Sequence, residues 1–321
     1  MATYIQKRIL VAIPVLIGVS LLVFLMLHAL PVDPVKLMLT DHASGTAPTA
    51  AGTMTDEMYE NMKHQLGLDR PLHVQFGSFL YDAIRGDLGR SYRNDKAVSR
   101  MIADNIGHTA ELAIASMSLA IIVGVSLGIL AAVNRGTWRD AVIMAVSVLG
   151  VSMPTFWFGL VLILIFALGL GWFPAMGAGG IRALVLPTLA MGLPTSAIIA
   201  RLTRSSLVEV MRQDYMTTAR AKGLREMKVV TKHGLKNALI PVVTIVGLQF
   251  GALLGGSLII ETVFGRPGLG YIAVNAIWNK DFPTVQGMVL FMASVYVLIN
   301  IIVDISYAWF DPRVRYDGGS N

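Results

Sequence analysis

Residues 201–241 read RLTRSSLVEVMRQDYMTTARAKGLREMKVVTKHGLKNALIP. The stretch holds nine Lys and Arg against three acids, Glu209, Asp214 and Glu226, an excess of six that equals the formal net charge of the whole chain, +6. On either side lie Leu184–Leu202 and Leu239–Val263, which are apolar all round a helix rather than along one stripe. Such runs belong in lipid, and a strongly basic connection between two of them belongs in the water on the cytoplasmic side. The fold therefore follows from this loop outward.

Four more runs meet the requirement of about 20 apolar residues per crossing. They are Ile9–Leu30, Thr109–Val133, Ala141–Leu170 and Pro283–Phe310. With a mean hydropathy of +0.64 and 14% charged residues, the 321-residue chain departs from soluble composition in the same direction. The sequence predicts an all-α polytopic membrane protein with six transmembrane helices. An N-terminal transmembrane helix covers 1–30, an external segment 31–107, and a transmembrane core 108–310 with the basic loop at 204–238. A tail over 311–321 follows. Lys7 and Arg8 ahead of the first crossing, Arg135 and Arg139 in the loop 134–140, and Arg313 and Arg315 in the tail all fall on the side of the basic loop. Both termini are thus expected in the cytoplasm. No small-residue cleavage site follows the first apolar run, which reads as a retained helix rather than a signal peptide.

The external segment is soluble-like. Its part at 42–54 reads as a Gly/Ala/Thr/Pro linker. Beyond it, Phe76, Phe79, Leu80, Ala83 and Ile84 share one helical face, with Gly86 placed as a stop. The segment is either a structural insertion or a docking surface for an external partner. Inside the crossings, the third run is too long for one straight crossing, and either a tilt or a kink at Met153–Pro154 would accommodate it. Gly247, Gly251 and Gly255 recur every four residues, the spacing that lets helix backbones approach closely. They, with Gln249, mark either packing within one subunit or a subunit interface around a pathway; Gly124 and Gly128 repeat the pattern. Glu111, Glu261 and Asp304 lie near the ends of crossings, where they can reach the interface. Ion-coupled transporters place such groups near the midplane instead.

Much chemistry is missing. There is no Gly-Lys pair and so no P-loop, and no cysteine. His28, His42, His64, His73, His108 and His233 are scattered without metal-ligand spacing, so no metal site is expected. A chain that moves something with this inventory must draw energy from another subunit.

Within the basic loop, Asp214 can cap a short helix, Tyr215–Lys222, that stops at Gly223. A second helix spans about Glu226 to Gly234, and the chain returns to the membrane over Asn237–Pro241. A helix of eight residues is marginal in water and needs a surface to pack on. That surface is either a protein partner or anionic lipid drawn by the basic charge.

Ala-Arg-Ala-Lys-Gly at 219–223, followed by Leu-Lys-Asn-Ala-Leu-Ile-Pro at 235–241, resembles the EAA loop of ATP-binding-cassette (ABC) importer permeases. Thr217 and Thr218 stand where that pattern has Glu and Ala; Ala219 and Gly223 match. Further stretches are similar to the first permease subunit of dipeptide and oligopeptide importers. They include Leu66-Gly-Leu-Asp-Arg-Pro71, Arg85-Gly-Asp-Leu-Gly-Arg-Ser-Tyr92, Ser152-Met-Pro-Thr-Phe156, Glu261-Thr-Val-Phe264 with Pro267-Gly-Leu-Gly270, and Asp311-Pro-Arg313. The resemblance implies a permease in the bacterial plasma (inner) membrane that binds no cofactor itself. ATP and Mg would be held by two cytoplasmic ATPase subunits, and the other partners would be a second, homologous permease and an external substrate-binding protein. It implies that Asp214, Tyr215, Ala219, Arg220, Ala221, Lys222, Gly223 and Leu224 couple the permease to the ATPases. An ion-coupled secondary transporter and a non-transporting membrane scaffold are the alternatives. No nucleic-acid partner and no catalytic residue are expected.

Overall fold

The computed structural model describes residues 2–29, 31, 33, 35–36 and 56–310. The expected linker at 42–54 and the tail at 311–321 lie outside these residues, as does the side chain of Asp304. Among the described residues the regular elements are helices, and β pairing is confined to a single bridge between Arg90 and Ala97. In chain order the helices are α1 (Ala2–Ala29), α2 (Asp56–Gln65), α3 (Leu72–Ile84), α4 (Val98–Val133), α5 (Trp138–Ser152) and α6 (Thr155–Leu162). There follow α7 (Gly180–Val210), α8 (Asp214–Ala221), α9 (Glu226–Lys228), α10 (Leu235–Val263), α11 (Leu269–Trp278) and α12 (Phe282–Phe310). Two π-wound stretches extend this list: Ile163–Gly169 prolongs α6, and Val229–Gly234 joins α9 to α10.

Five helices are long and apolar enough to cross a membrane, and a sixth crossing results if α5 and α6 together make one. Those two are bent by 102°. The break falls at Met153–Pro154, where both residues are extended (ψ 131° and 130°). Pro154 supplies no N–H to the preceding turn and disfavours helical backbone at Met153. Two consecutive extended residues make the break a corner rather than a tilt or a kink. Pro14, Pro187, Pro194 and Pro241 by contrast stay inside continuous helices.

The helices also run past the ends of the apolar segments. Val98–Val133 is one helix of 36 residues that starts well before Thr109, and Gly180–Val210 extends eight residues beyond Leu202. Glu226–Val263 is continuous over 38 residues. Helical hydrogen bonding does not depend on lipid, so hydropathy sets the buried length of a crossing but not where the helix stops.

The chain divides into two compact units. One contains His108–Gly270, together with the chain before Ile9 and from Tyr296 on. Its core includes Leu112, Met117, Leu186, Ile199, Ile260 and Phe264, all buried. α4 and α7 approach closely because they exchange glycines. A Cβ on Gly124 would lie 2.7 Å from the Ser196 carbonyl, one on Gly128 2.5 Å from Thr203 Cβ, and one on Gly192 2.9 Å from the Ser116 carbonyl. Near one end of α7, Arg204 grips the buried Asp140 at the start of α5 through two hydrogen bonds of 2.6 and 2.7 Å.

The other unit contains Ile9–Gly107 and Tyr271–Val295. In α3, Phe76, Phe79, Leu80 and Ala83 are half-buried, Phe76 lying 5.4 Å from the Phe24 ring of α1, and Gly86 follows at φ +86° as the stop. Ile84 does not join that face: it is 87% exposed. The Arg85–Tyr92 motif is fastened to α12. The buried Asp281 carboxylate accepts hydrogen bonds from Ser91 Oγ (2.5 Å), Thr284 Oγ1 (2.7 Å) and Tyr92 N (2.9 Å). Gly287 then lets Leu88 and Val98 lie against the backbone of α12, where a Cβ would meet Val98 at 2.8 Å.

Candidate functional site

The basic loop folds into a short helix held on one side only. Gln213 takes the N-cap position and Asp214 is the first helical residue, so Asp214 does not cap; no side-chain cap bond forms. Its carboxylate instead places negative charge at the positive end of the helix dipole. The helix has eight residues, as expected, but begins and ends one position early. Lys222 is the C-cap, and Gly223 takes φ +75°, the left-handed conformation that a Cβ disfavours.

Met216 and Ala219 are buried, and Val229 of the π-wound stretch is buried against them. Leu224 packs at the edge of this cluster. Gly234 makes the approach possible, since a Cβ there would lie 3.2 Å from Met216 Cε. Arg220 donates to both oxygens of Glu226, at 3.1 and 2.9 Å. That carboxylate holds the Arg220 guanidinium above its ordinary value against the opposing effect of burial. Asn237 donates to the Tyr215 hydroxyl at 2.8 Å. The opposite face is bare: Asp214, Tyr215, Thr217, Thr218, Ala221, Lys222 and Gly223 are all exposed.

Met216, Glu226, Val229, Gly234 and Asn237 were not singled out by sequence. Glu226 lies six residues from Arg220, outside any helical pairing rule, so only the turn at Gly223 brings the two together.

The glycine row on α10 divides. Gly247 and Gly251 face α12, where a Cβ would overlap Val303 at the first and lie 3.1 Å from Tyr296 at the second. Packing within the chain accounts for both. Gly255 has nothing within 4 Å and is exposed, as are Leu248 and Ile259 on the same helix; Gln249 is half-buried. A four-residue repeat drifts round a 3.6-residue helix, and by Gly255 it has left α12.

Glu261 is fully buried and does not reach an interface. Its carboxylate accepts from Gly270 N at 2.8 Å and its carbonyl from Arg266 N at 2.8 Å, closing the turn between α10 and α11. A Cβ on Gly268 would overlap that carboxylate, and one on Gly270 would overlap Leu258. Arg266, 1% exposed, pairs with Glu111 and donates to the His108 carbonyl at 3.3 Å, while Leu269 N donates to Thr109 Oγ1 at 2.8 Å. Glu111 remains half-exposed. Among the described residues no group of three His, Cys, Asp or Glu could hold a metal ion.

Comparison with known proteins agrees with this architecture. Residues 124–316 match the binding-protein-dependent transport system inner membrane component, and residues 1–113 match the N-terminal membrane component of the same systems. The chain is 44% identical over 316 residues to the glutathione transport system permease protein GsiC of Escherichia coli K12, covering 98% of this chain and 100% of the relative. The GsiC protein of Salmonella typhi is similar to the same extent. Among solved structures, an inward-facing form of the MetNI methionine ABC transporter has a TM-score of 0.56 at 22% identity, over 66% of this chain and 96% of that one. An amino acid ABC transporter crystallised with histidines has a TM-score of 0.51 at 16% identity, over 67% and 94%. At such identities the structures speak for the fold alone. The relatives are permease proteins rather than enzymes. With family matches over most of its length and relatives 44% identical end to end, the chain belongs to the inner-membrane permease subunits of binding-protein-dependent ABC importers.

Proposed function

We propose that this permease serves an importer of di- or oligopeptides or peptide-like solutes such as glutathione, and forms half of its translocation pathway. A second homologous permease supplies the other half. Two cytoplasmic ATPase subunits bind ATP and Mg, and an external binding protein delivers the cargo. The protein lies in the bacterial plasma membrane with both termini in the cytoplasm. The relatives named for glutathione transport support the cargo class.

The observation that carries the coupling role is the one-sided anchoring of α8. Met216, Ala219 and Arg220 fasten the helix to its own chain, and the other face is left for a partner. Closure of the ATPases would move α8 as a rigid handle within the loop 204–238, and the crossings would rock between outward and inward openings. Asp214, Tyr215, Ala221, Lys222 and Gly223 would meet the ATPase; Ala219, Arg220 and Leu224 would hold the handle.

Gly223→Val tests this reading. A β-branched residue at φ +75° strains the helix stop by about 1–3 kcal/mol. The expected outcome is normal membrane insertion with ATP-driven uptake reduced at least tenfold in proteoliposomes containing the full complex. Undiminished uptake would remove the loop from the mechanism. Uptake that needs an ion gradient but no ATPase would favour the secondary-transporter alternative instead.

A further inference from the structure

The unit formed by Ile9–Gly107 and Tyr271–Val295 contains a cavity of about 320 Å³ that the import reading leaves unused. Its apolar floor comes from Leu27, Leu68, Leu72 and Phe282. Nitrogen-bearing side chains reach it from three elements: His28 from α1, and the cationic Lys63 and Arg70 from α2 and the turn before α3.

His28 is already engaged within its own unit. Nδ1 lies 2.9 Å from the Phe24 carbonyl and Nε2 lies 3.2 Å from Gln75 Oε1. Gln75 Nε2 in turn donates to the Arg70 carbonyl at 2.8 Å, which ties the imidazole to the start of α3 and fixes it at the cavity wall.

The lining also contains one carboxylate, Asp33, but the fold occupies it. Tyr59 donates to Asp33 at 2.6 Å and Val35 N at 3.0 Å. Lys63 has Glu60 at 3.8 Å on its exposed side and the Tyr59 ring 5.7 Å away. Arg70 has no acidic partner among the described residues; its side chain lies along Gly67, where a Cβ would be 3.9 Å from Cδ and Nε. Lys63 and Arg70 thus bring two positive groups to the cavity against one carboxylate, Asp33, among the described residues.

We propose that this cavity is a binding site for a small amphipathic carboxylic acid. The carboxylate sits between Arg70 and Lys63, and the apolar part lies on Leu27, Leu72 and Phe282. A concave site with an apolar floor and a few convergent polar groups is what small-molecule recognition requires. Arg70 offers the planar fork that matches a carboxylate. A single acidic side chain from a partner protein would satisfy the charges and leave the apolar volume unfilled, which favours a small molecule.

The test uses the full chain in lipid nanodiscs and calorimetric titration with N-acetylleucine and its neutral amide, N-acetylleucinamide. The acid should bind and the amide should bind at least tenfold more weakly. Arg70→Gln should weaken the acid at least tenfold without changing the thermal midpoint, and Lys63→Gln should act in the same direction. Equal binding of acid and amide, no binding at millimolar concentration, or full affinity in Arg70→Gln would each overturn the proposal. The measurement needs neither ATPase nor uptake, so its failure would leave the import reading standing.

Discussion

Tyr92 shows how one residue records its surroundings. Burial, and the Asp281 carboxylate beside it, push its phenol up to about 12. The folded unit therefore favours the neutral phenol. Its contribution to stability is complete below the ordinary tyrosine value of about 10 and is lost as pH rises through about 12. That shift corresponds to about 2–3 kcal/mol at most. Thermal melts of the detergent-solubilised protein should show a loss of stability between about pH 10 and pH 12 that is shallower in Tyr92→Phe. Identical alkaline limbs would mean that Tyr92 ionises without cost in the fold. The sequence offered Tyr92 only as the end of a recognisable motif. Burial first, and then Asp281 189 residues away, give it its character, and no spacing rule connects the two residues.

At the scale of elements, α8 depends on its docking more than on its own propensity. Eight residues cannot hold a helix in water, and two different anchors are present. Met216→Ala removes a fully buried side chain, a change that costs roughly 2–5 kcal/mol in protein cores. Glu226→Ala removes a pair in which Arg220 and Glu226 are 36% and 51% exposed, a class worth at most about 1 kcal/mol. Hydrogen–deuterium exchange over residues 214–222 should therefore quicken more in Met216→Ala than in Glu226→Ala. The reverse order would make the ion pair the main anchor. The sequence already contained the helix, its length and its glycine stop. It did not contain the docking partner, because the π-wound stretch Val229–Gly234 places its side chains by a periodicity that α-helical reasoning does not use.

For the whole molecule, the question is what the corner at Met153–Pro154 does to the path of the chain. The absence of cysteine makes single-cysteine labelling direct. With a membrane-impermeant maleimide, Arg135→Cys and Thr217→Cys should label from the cytoplasmic side and Trp172→Cys from outside, which makes α5 and α6 one crossing. If Arg135→Cys and Trp172→Cys label from the same side, the pair is re-entrant and the chain crosses five times.

The sequence by itself determined the class, the apolar segments, and the basic loop with its short helix. These follow from composition, period and the geometry of single residues, which act over a few positions. Only the tertiary structure decided that Glu261 turns inward to close the Gly268–Gly270 turn, that Gly247 and Gly251 face α12, and that Asp281 holds the Arg85–Tyr92 motif. It also brought His28, Lys63 and Arg70 to one cavity, where the sequence had only scattered charges. Those outcomes rest on contacts between residues distant in the chain. Apolar segments that suit lipid on every face leave open which face meets a neighbour, and close packing between helices settles it.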